Sequence, residues 1–162
     1  MNKTSFDSEI PQKGQQVITA CAFIHHDISG EEKVLLAKRS KTRKFLPNIF
    51  ELPGGHINWG EDITEGLKRE VFEELGIKIK VNDPFAVFTY INQVKGTHSV
   101  EIVYFARPDR SIETIKTNPR DHSEFAWFSR KELEALKSVS ESELKNIKRG
   151  FAILSRERVY SV

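Results

Sequence analysis

Three carboxylates and a guanidinium crowd into six consecutive residues, Arg69, Glu70, Glu73 and Glu74 in the run REVFEE. At helical spacing Glu70, Glu73 and Glu74 share one arc, where like charges repel by a few tenths of a kcal/mol per pair. A cation over that arc relieves the repulsion. A hard divalent ion with oxygen ligands suits it, because Mg²⁺ keeps several waters and bridges carboxylates to substrate phosphates. The competing reading is a solvated acidic helix face.

The elements that must position these groups are legible. Asp62 is an N-cap with Glu65 three residues on to complete a capping box, and Gly76 is placed for a left-handed C-terminal residue. The helix is therefore predicted over 63–75, with Leu67, Val71 and Leu75 as its buried ridge. Glu74 falls nearest that ridge and Glu73 furthest from it. The glycine turn Leu52-Pro-Gly-Gly-His-Ile57 precedes the helix, and such turns let backbone approach a phosphate or another strand. An Arg69–Glu61 ion pair would tie this loop to the helix.

Gly55, five residues, Glu61, seven residues, then Arg69-Glu-Val-Phe-Glu-Glu-Leu-Gly-Ile77 resembles the signature of the Nudix hydrolases at every fixed position. Gly66, where relatives often carry Ala, is a departure expected to weaken the helix by about 1 kcal/mol without touching the chemistry. The resemblance covers about 17–136, with a weaker echo in Glu124-Phe-Ala-Trp-Phe-Ser129.

Around this box, 17–25 and 33–39 read as a strand hairpin turning at Gly30, and 49–52 as a short strand delivering the glycine turn. Residues 78–81 alternate as an edge strand, and Asn82-Asp-Pro84 is a turn. Strands 85–91 and 99–106 are joined around Gly96, and 110–120 is a polar loop. Strand 124–128 leads to a short helical turn at 129–136. Ser140 and Glu143 offer a second capping box for an amphipathic helix over about 140–158, with Lys145, Lys148, Arg149, Arg156 and Arg158 as its solvated face. Residues 1–15 read as a flexible leader.

These elements indicate one α/β (α+β) domain spanning 1–162. The resemblance sharpens this to an α/β/α sandwich with a mixed central sheet, the box helix on one side and the C-terminal helix on the other. A charged share of 30% and a net charge of +2 describe an ordinary soluble chain and give no reason to expect nucleic acid or membrane as partner. The single Cys21 excludes an internal disulfide and suits a buried strand position; the expected compartment is cytoplasmic. A homodimer is left open.

The resemblance implies hydrolysis of a phosphoanhydride in a nucleoside diphosphate linked to another group, with Mg²⁺ or Mn²⁺ as cofactor. Glu70, Glu73, Glu74 and Gly55 are the implied metal set, and Arg69 supports it. A general base outside the box falls to Glu124, Asp121 or Glu101, with Glu124 preferred. Glu101 alternates with Val100 and Ile102, so facing water is its competing reading. Arg39, ending its strand, is the choice for a substrate-phosphate contact among the basic residues Lys38 to Lys44, which are otherwise a solvated loop. Gly54 and Gly55 would approach the substrate. Phe45 and Phe50 suit base stacking or core, Trp59 a cover for the site or packing of the turn. Glu51 resembles a position that holds metal or Arg in some relatives.

Subfamily marks for ADP-ribose and for dinucleoside polyphosphates are absent where Asn92, Gln93 and Val94 stand. By elimination the expected small-molecule substrate is a nucleoside triphosphate, normal or oxidised, cleaved to monophosphate and pyrophosphate. Nucleotide sugars, RNA ends and a catalytically silent ligand sensor are the alternatives.

Overall fold

The computed structural model describes residues 14–156. The predicted leader up to residue 13 and the helix end at 157–158 lie outside them. Seven strands and three α-helices follow in the order β1 (Gln16–Ile28), β2 (Glu31–Arg39), β3 (Phe50–Glu51), β4 (Gly54–His56), α1 (Ile63–Leu75), β5 (Ile79–Asn92), β6 (Thr97–Pro108), β7 (His122–Ser129), α2 (Arg130–Ala135) and α3 (Glu141–Leu154).

The sheet is mixed. Its strands run β3-β2-β1-β6-β5, with β1 and β6 parallel and the remaining pairs antiparallel. β1 alternates between two buried faces. Ala20, Ala22 and Ile24 meet Leu67, Val71 and Leu75 of α1, while Cys21 and Phe23 meet Ile147 and Phe151 of α3. Both faces are therefore covered by helices, the sandwich expected from the sequence. Burying such apolar side chains supplies ~25 cal/mol per Å² removed from water.

One edge of β1 is shared by two partners, and this opens the site. β4 pairs with Thr19–Cys21, and β2 pairs only with His25–Ile28 further along. Between them β2 diverges, and Ala22 N–H is taken by Pro53 O at 2.8 Å. The glycine turn is thus drawn into the sheet as β4, where the sequence reading had a turn alone.

Three local expectations change. Asn82–Pro84 is no turn: β5 runs through it with register shifts on either side of Pro84. Proline has no N–H to give a ladder, and β5 lies at the sheet edge, where a bulge accommodates it. Ser140 caps Glu143 N–H at 3.2 Å, but the Glu143 carboxylate goes to Leu52 N–H at 2.6 Å instead of closing a box. Arg149, expected in solvent, donates from Nε to Phe85 O at 3.1 Å. Among the described residues no helix is long and apolar enough to cross a membrane.

Candidate active site

The helix that carries the carboxylates begins and ends as its sequence dictates. Asp62 accepts from Thr64 and Glu65 N–H at 2.9 and 3.1 Å, and Gly76 stands at φ 68° with its N–H on Phe72 O. The Glu65 carboxylate leaves the cap for Lys68 Nζ at 2.7 Å. Glu70 (4% exposed) and Glu74 (8%) face the protein, whereas Glu73 is exposed.

Arg69 organises this helix face. Its Nε and Nη2 hold Glu61 at 2.8 and 3.0 Å, Nη2 also reaches His56 O at 3.0 Å, and Nη1 takes Glu70 at 2.6 Å and Glu73 at 3.4 Å. The hydrogen bond to Glu61, and then Glu70, tighten the guanidinium's hold on its proton, and Arg69 in turn holds the Glu61 carboxyl below the usual range. The predicted Arg69–Glu61 pair thus forms as a two-point grip that fastens the loop to the helix. Gly66 belongs to the same fit. A methyl there would stand 2.7 Å from Ile57 Cδ1 and 2.8 Å from Glu61 Oε2. The glycine, expected to weaken the helix, also leaves room for Ile57 and Glu61 to lie close on α1.

The glycine turn meets the carboxylates directly. Gly54 N–H donates to Glu74 Oε2 at 2.9 Å, and a Cβ on Gly55 would overlap the Glu70 carboxylate, 2.7 Å from its Cδ. Burial lifts the Glu74 carboxyl well above its ordinary pKa, and the negative charges of Glu51, Glu70 and Asp121 lift it further. Such a set of hard oxygens, repelling one another within a glycine cradle, fits a divalent cation. Among the described residues no three of the His, Cys, Asp and Glu side chains already stand in a metal-holding arrangement; Arg69 holds Glu70 and Glu73.

Glu70, Glu73, Glu74, Gly54 and Gly55 line a cavity of about 230 Å³. Glu51 lies beside them, and Arg39 gives it Nη1 at 3.1 Å while donating Nε to Phe45 O at 2.9 Å. Burial alone would lift the Glu51 carboxyl, but Arg39 and then His122 hold it below the usual range. Phe45 and Tyr90 also line the cavity and lie parallel, 11° apart with ring centroids at 6.1 Å, and the Arg39 guanidinium is 5.9 Å from the Phe45 centroid.

Of the three candidates for a general base, Asp121 and Glu101 line this cavity. Glu124 is corrected: it is exposed, outside the cavity lining, and paired with Lys38 Nζ at 3.0 Å, because the β2–β7 register sets it opposite Lys38. Glu101 does not face water. The register of β6 against β1 sets it on the face shared by Thr19 and Cys21, which lines the cavity, and the carboxylate accepts from Thr19 Oγ1 at 3.1 Å and Cys21 Sγ at 3.2 Å. Burial first, offset in part by the Cys21 bond, then raises the Glu101 carboxyl. Phe50 is 8% exposed and packs edge-on to Phe128 at 5.2 Å, so it is a wall of the cavity and offers no free stacking face. Trp59 neither covers the site nor packs the turn; it is 96% exposed.

Two groups escaped the sequence reading. Glu143, from the first turn of α3, and His122, from the start of β7, both line the cavity. His122 gave one signal: it stands two residues before Glu124, in the loop already suspected of supplying a base.

Residues 18–149 match the NUDIX domain family model. The m7GpppN-mRNA hydrolase NUDT17 of Bos taurus is 37% identical over 71 residues, 44% of this chain, and the chain spans only 23% of that relative's length. The nucleoside triphosphatase NudI of Enterobacter sp. (strain 638) is 28% identical over 110 residues, 63% of this chain and 77% of its own. A MutT protein from Methanosarcina mazei Go1 superimposes with a TM-score of 0.71 at 23% identity, covering 90% of this chain and 99% of its own. Family model, fold and box geometry agree, and this chain belongs to the NUDIX family.

Proposed function

We propose that this protein hydrolyses a phosphoanhydride bond in nucleoside diphosphate-linked substrates, and that its substrate is a nucleoside triphosphate, normal or oxidised, cleaved to monophosphate and pyrophosphate. The observation that carries this reading is that one cavity is lined both by the carboxylates Glu70, Glu73 and Glu74 and by the stacked rings of Phe45 and Tyr90. That combination suits a molecule that joins phosphates to an aromatic base. The similarity to NudI, named a nucleoside triphosphatase, and to the 8-oxo-dGTP diphosphatase of Buchnera aphidicola, 35% identical over 65 residues, supports the choice.

Glu70, Glu73, Glu74 and the Gly55 carbonyl would hold Mg²⁺ or Mn²⁺. A bound ion supplies charge neutralisation at the phosphoryl oxygens and activation of water. The chain's own residues position the rest. Arg69 shapes the carboxylates, Arg39 brings positive charge to the cavity lining, and the stacked rings of Phe45 and Tyr90 offer an aromatic surface to the base. Asp121, beside Glu74, is the base outside the box. Positioning and charge stabilisation dominate phosphoryl transfer, so few other groups are required.

RNA ends are the second reading, favoured by the NUDT17 match and by exposed Lys41 and Lys44 beside the cavity. Such binding would weaken steeply with salt.

The test is product analysis with Mg²⁺ over normal and oxidised nucleoside triphosphates, ADP-ribose, nucleotide sugars, a dinucleoside polyphosphate and capped RNA, beside the Glu73→Gln variant. Pyrophosphate release from a triphosphate, lost in the variant, is the expected result. Cleavage confined to another class overturns the substrate. Ligand binding without turnover of any member overturns the activity.

A further inference from the structure

His122 is 1% exposed, lines the cavity, and uses only one of its ring nitrogens. Nε2 lies 2.9 Å from Glu51 Oε1, whereas Nδ1 is buried without a hydrogen-bond partner. Leaving such a group unsatisfied costs about 1–3 kcal/mol, so a native position of this kind calls for a reason. Glu51 Oε1 also takes Arg39 Nη1 at 3.1 Å, and a carboxylate so paired acts as an acceptor, so Nε2 is the ring nitrogen that donates. The lone pair is then on Nδ1. It points toward Glu74, whose Oε1 is 4.0 Å away while Oε2 is engaged by Gly54.

We infer that His122 Nδ1 is a nitrogen ligand for the divalent ion held by the box carboxylates, sharing that ion with Glu74 and oriented by Glu51. The inference rests on the metal-dependent reading of the same cavity. A metal-binding imidazole commonly gives its other N–H to a carboxylate, which fixes its tautomer and direction, and Glu51 stands in that relation to His122. The spacing is compatible. Two donors at ~2.1 Å from one ion stand ~3.0 Å apart at right angles and ~4.2 Å apart when opposed.

The backbone keeps the two donors in step. Asn118 N–H caps Glu74 O at 2.8 Å, and His122 N–H returns to Asn118 O at 2.9 Å. His122 is thereby built onto the end of the helix that carries Glu74. Imidazole favours transition-metal ions over Mg²⁺, so this ligand gives the site a preference that an all-oxygen set lacks.

The test uses Mn²⁺ alone with the full chain. Pulsed electron paramagnetic resonance of bound Mn²⁺ is expected to show modulation from a histidine nitrogen, identified by its change on ¹⁵N-histidine labelling. The modulation is expected to be lost in His122→Gln and kept in His56→Gln, the other histidine lining the cavity. The ratio of Mn²⁺ to Mg²⁺ affinity should fall ~10-fold in His122→Gln. Should that variant fail to fold, retention of the modulation in Gln variants of each of the other four histidines, His25, His26, His56 and His98, carries the assignment. Bound Mn²⁺ without histidine modulation, or modulation that survives His122→Gln, overturns this inference and leaves the proposed function standing. Absence of Mn²⁺ binding overturns both.

Discussion

Gly55 lies so close to Glu70 that a Cβ on the glycine would occupy the space of the Glu70 carboxylate. Neighbouring Gly54 is confined differently. Its φ is 151°, and an added Cβ would stand 2.6 Å from Cys21 Cα and overlap Ala20 O. One glycine is bounded by the end of a side chain and the other by backbone that cannot move aside.

Gly55→Ala and Gly54→Ala should therefore fail in different ways. In Gly55→Ala the Glu70 carboxylate is displaced while the fold persists, so turnover should fall ~100-fold with an unfolding midpoint close to wild type. Gly54→Ala strains the β1–β4 pairing and should cost ~3 kcal/mol or more, visible in denaturant unfolding. Equal stability losses in the two variants would contradict this division.

Arg69→Lys should lower both activity and stability. A lysine cannot hold Glu61 at two points while also reaching His56 O and Glu70. A loss of ~10–100-fold in turnover and about 1–3 kcal/mol in stability is expected. Steady-state kinetics with chemical denaturation checks both, and an unchanged turnover would remove Arg69 from the site's support.

Glu124→Gln and Asp121→Asn separate the candidate bases. Glu124 is exposed and joined only to Lys38 at the surface, and such pairs contribute ~1 kcal/mol or less. Its variant should retain turnover within about 2-fold. Asp121→Asn should lose ~100-fold or more, as expected when a base is removed. The reverse order would restore Glu124 and displace Asp121.

Glu143→Gln should stabilise the protein toward alkaline pH. Burial, and then the charge of Glu101, raises the Glu143 carboxyl well above its ordinary value. The folded state therefore holds this proton more tightly than the unfolded chain. The resulting stability is full below the unfolded carboxylate range, about pH 4, and is lost as pH rises through the folded value. Glutamine never ionises and can still accept from Leu52 N–H. Thermal unfolding from pH 5 to pH 9 should show the variant's advantage growing with pH, and a constant difference would show that the ionisation of Glu143 carries no cost.

The box was legible because its information is local. Asp62 and Gly76 bound the helix through hydrogen bonds to their near neighbours, and the spacing of Leu67, Val71 and Leu75 fixes which arc faces inward. Arg69 reaches Glu61 across one loop, so that pair followed from spacing as well. The β1–β2 and β5–β6 hairpins were also foreshadowed, by strand composition and by Gly30 and Gly96.

The remaining site was decided by tertiary structure. Where Glu101 points depends on the register of β6 against β1, which sets it beside Thr19 and Cys21, some eighty positions away. Glu124 and His122 sit two residues apart, yet one faces Lys38 outside and the other Glu51 within; only the pairing of β7 with β2 assigns their sides. Glu143 reaches Leu52 across 91 residues. The sequence by itself determined the carboxylate helix, its caps and the family resemblance, since these rest on contacts within a few turns of chain. The depth of the cavity, its second set of acidic groups and the free nitrogen of His122 exist only because β2 parts from β1 and distant segments close over the gap.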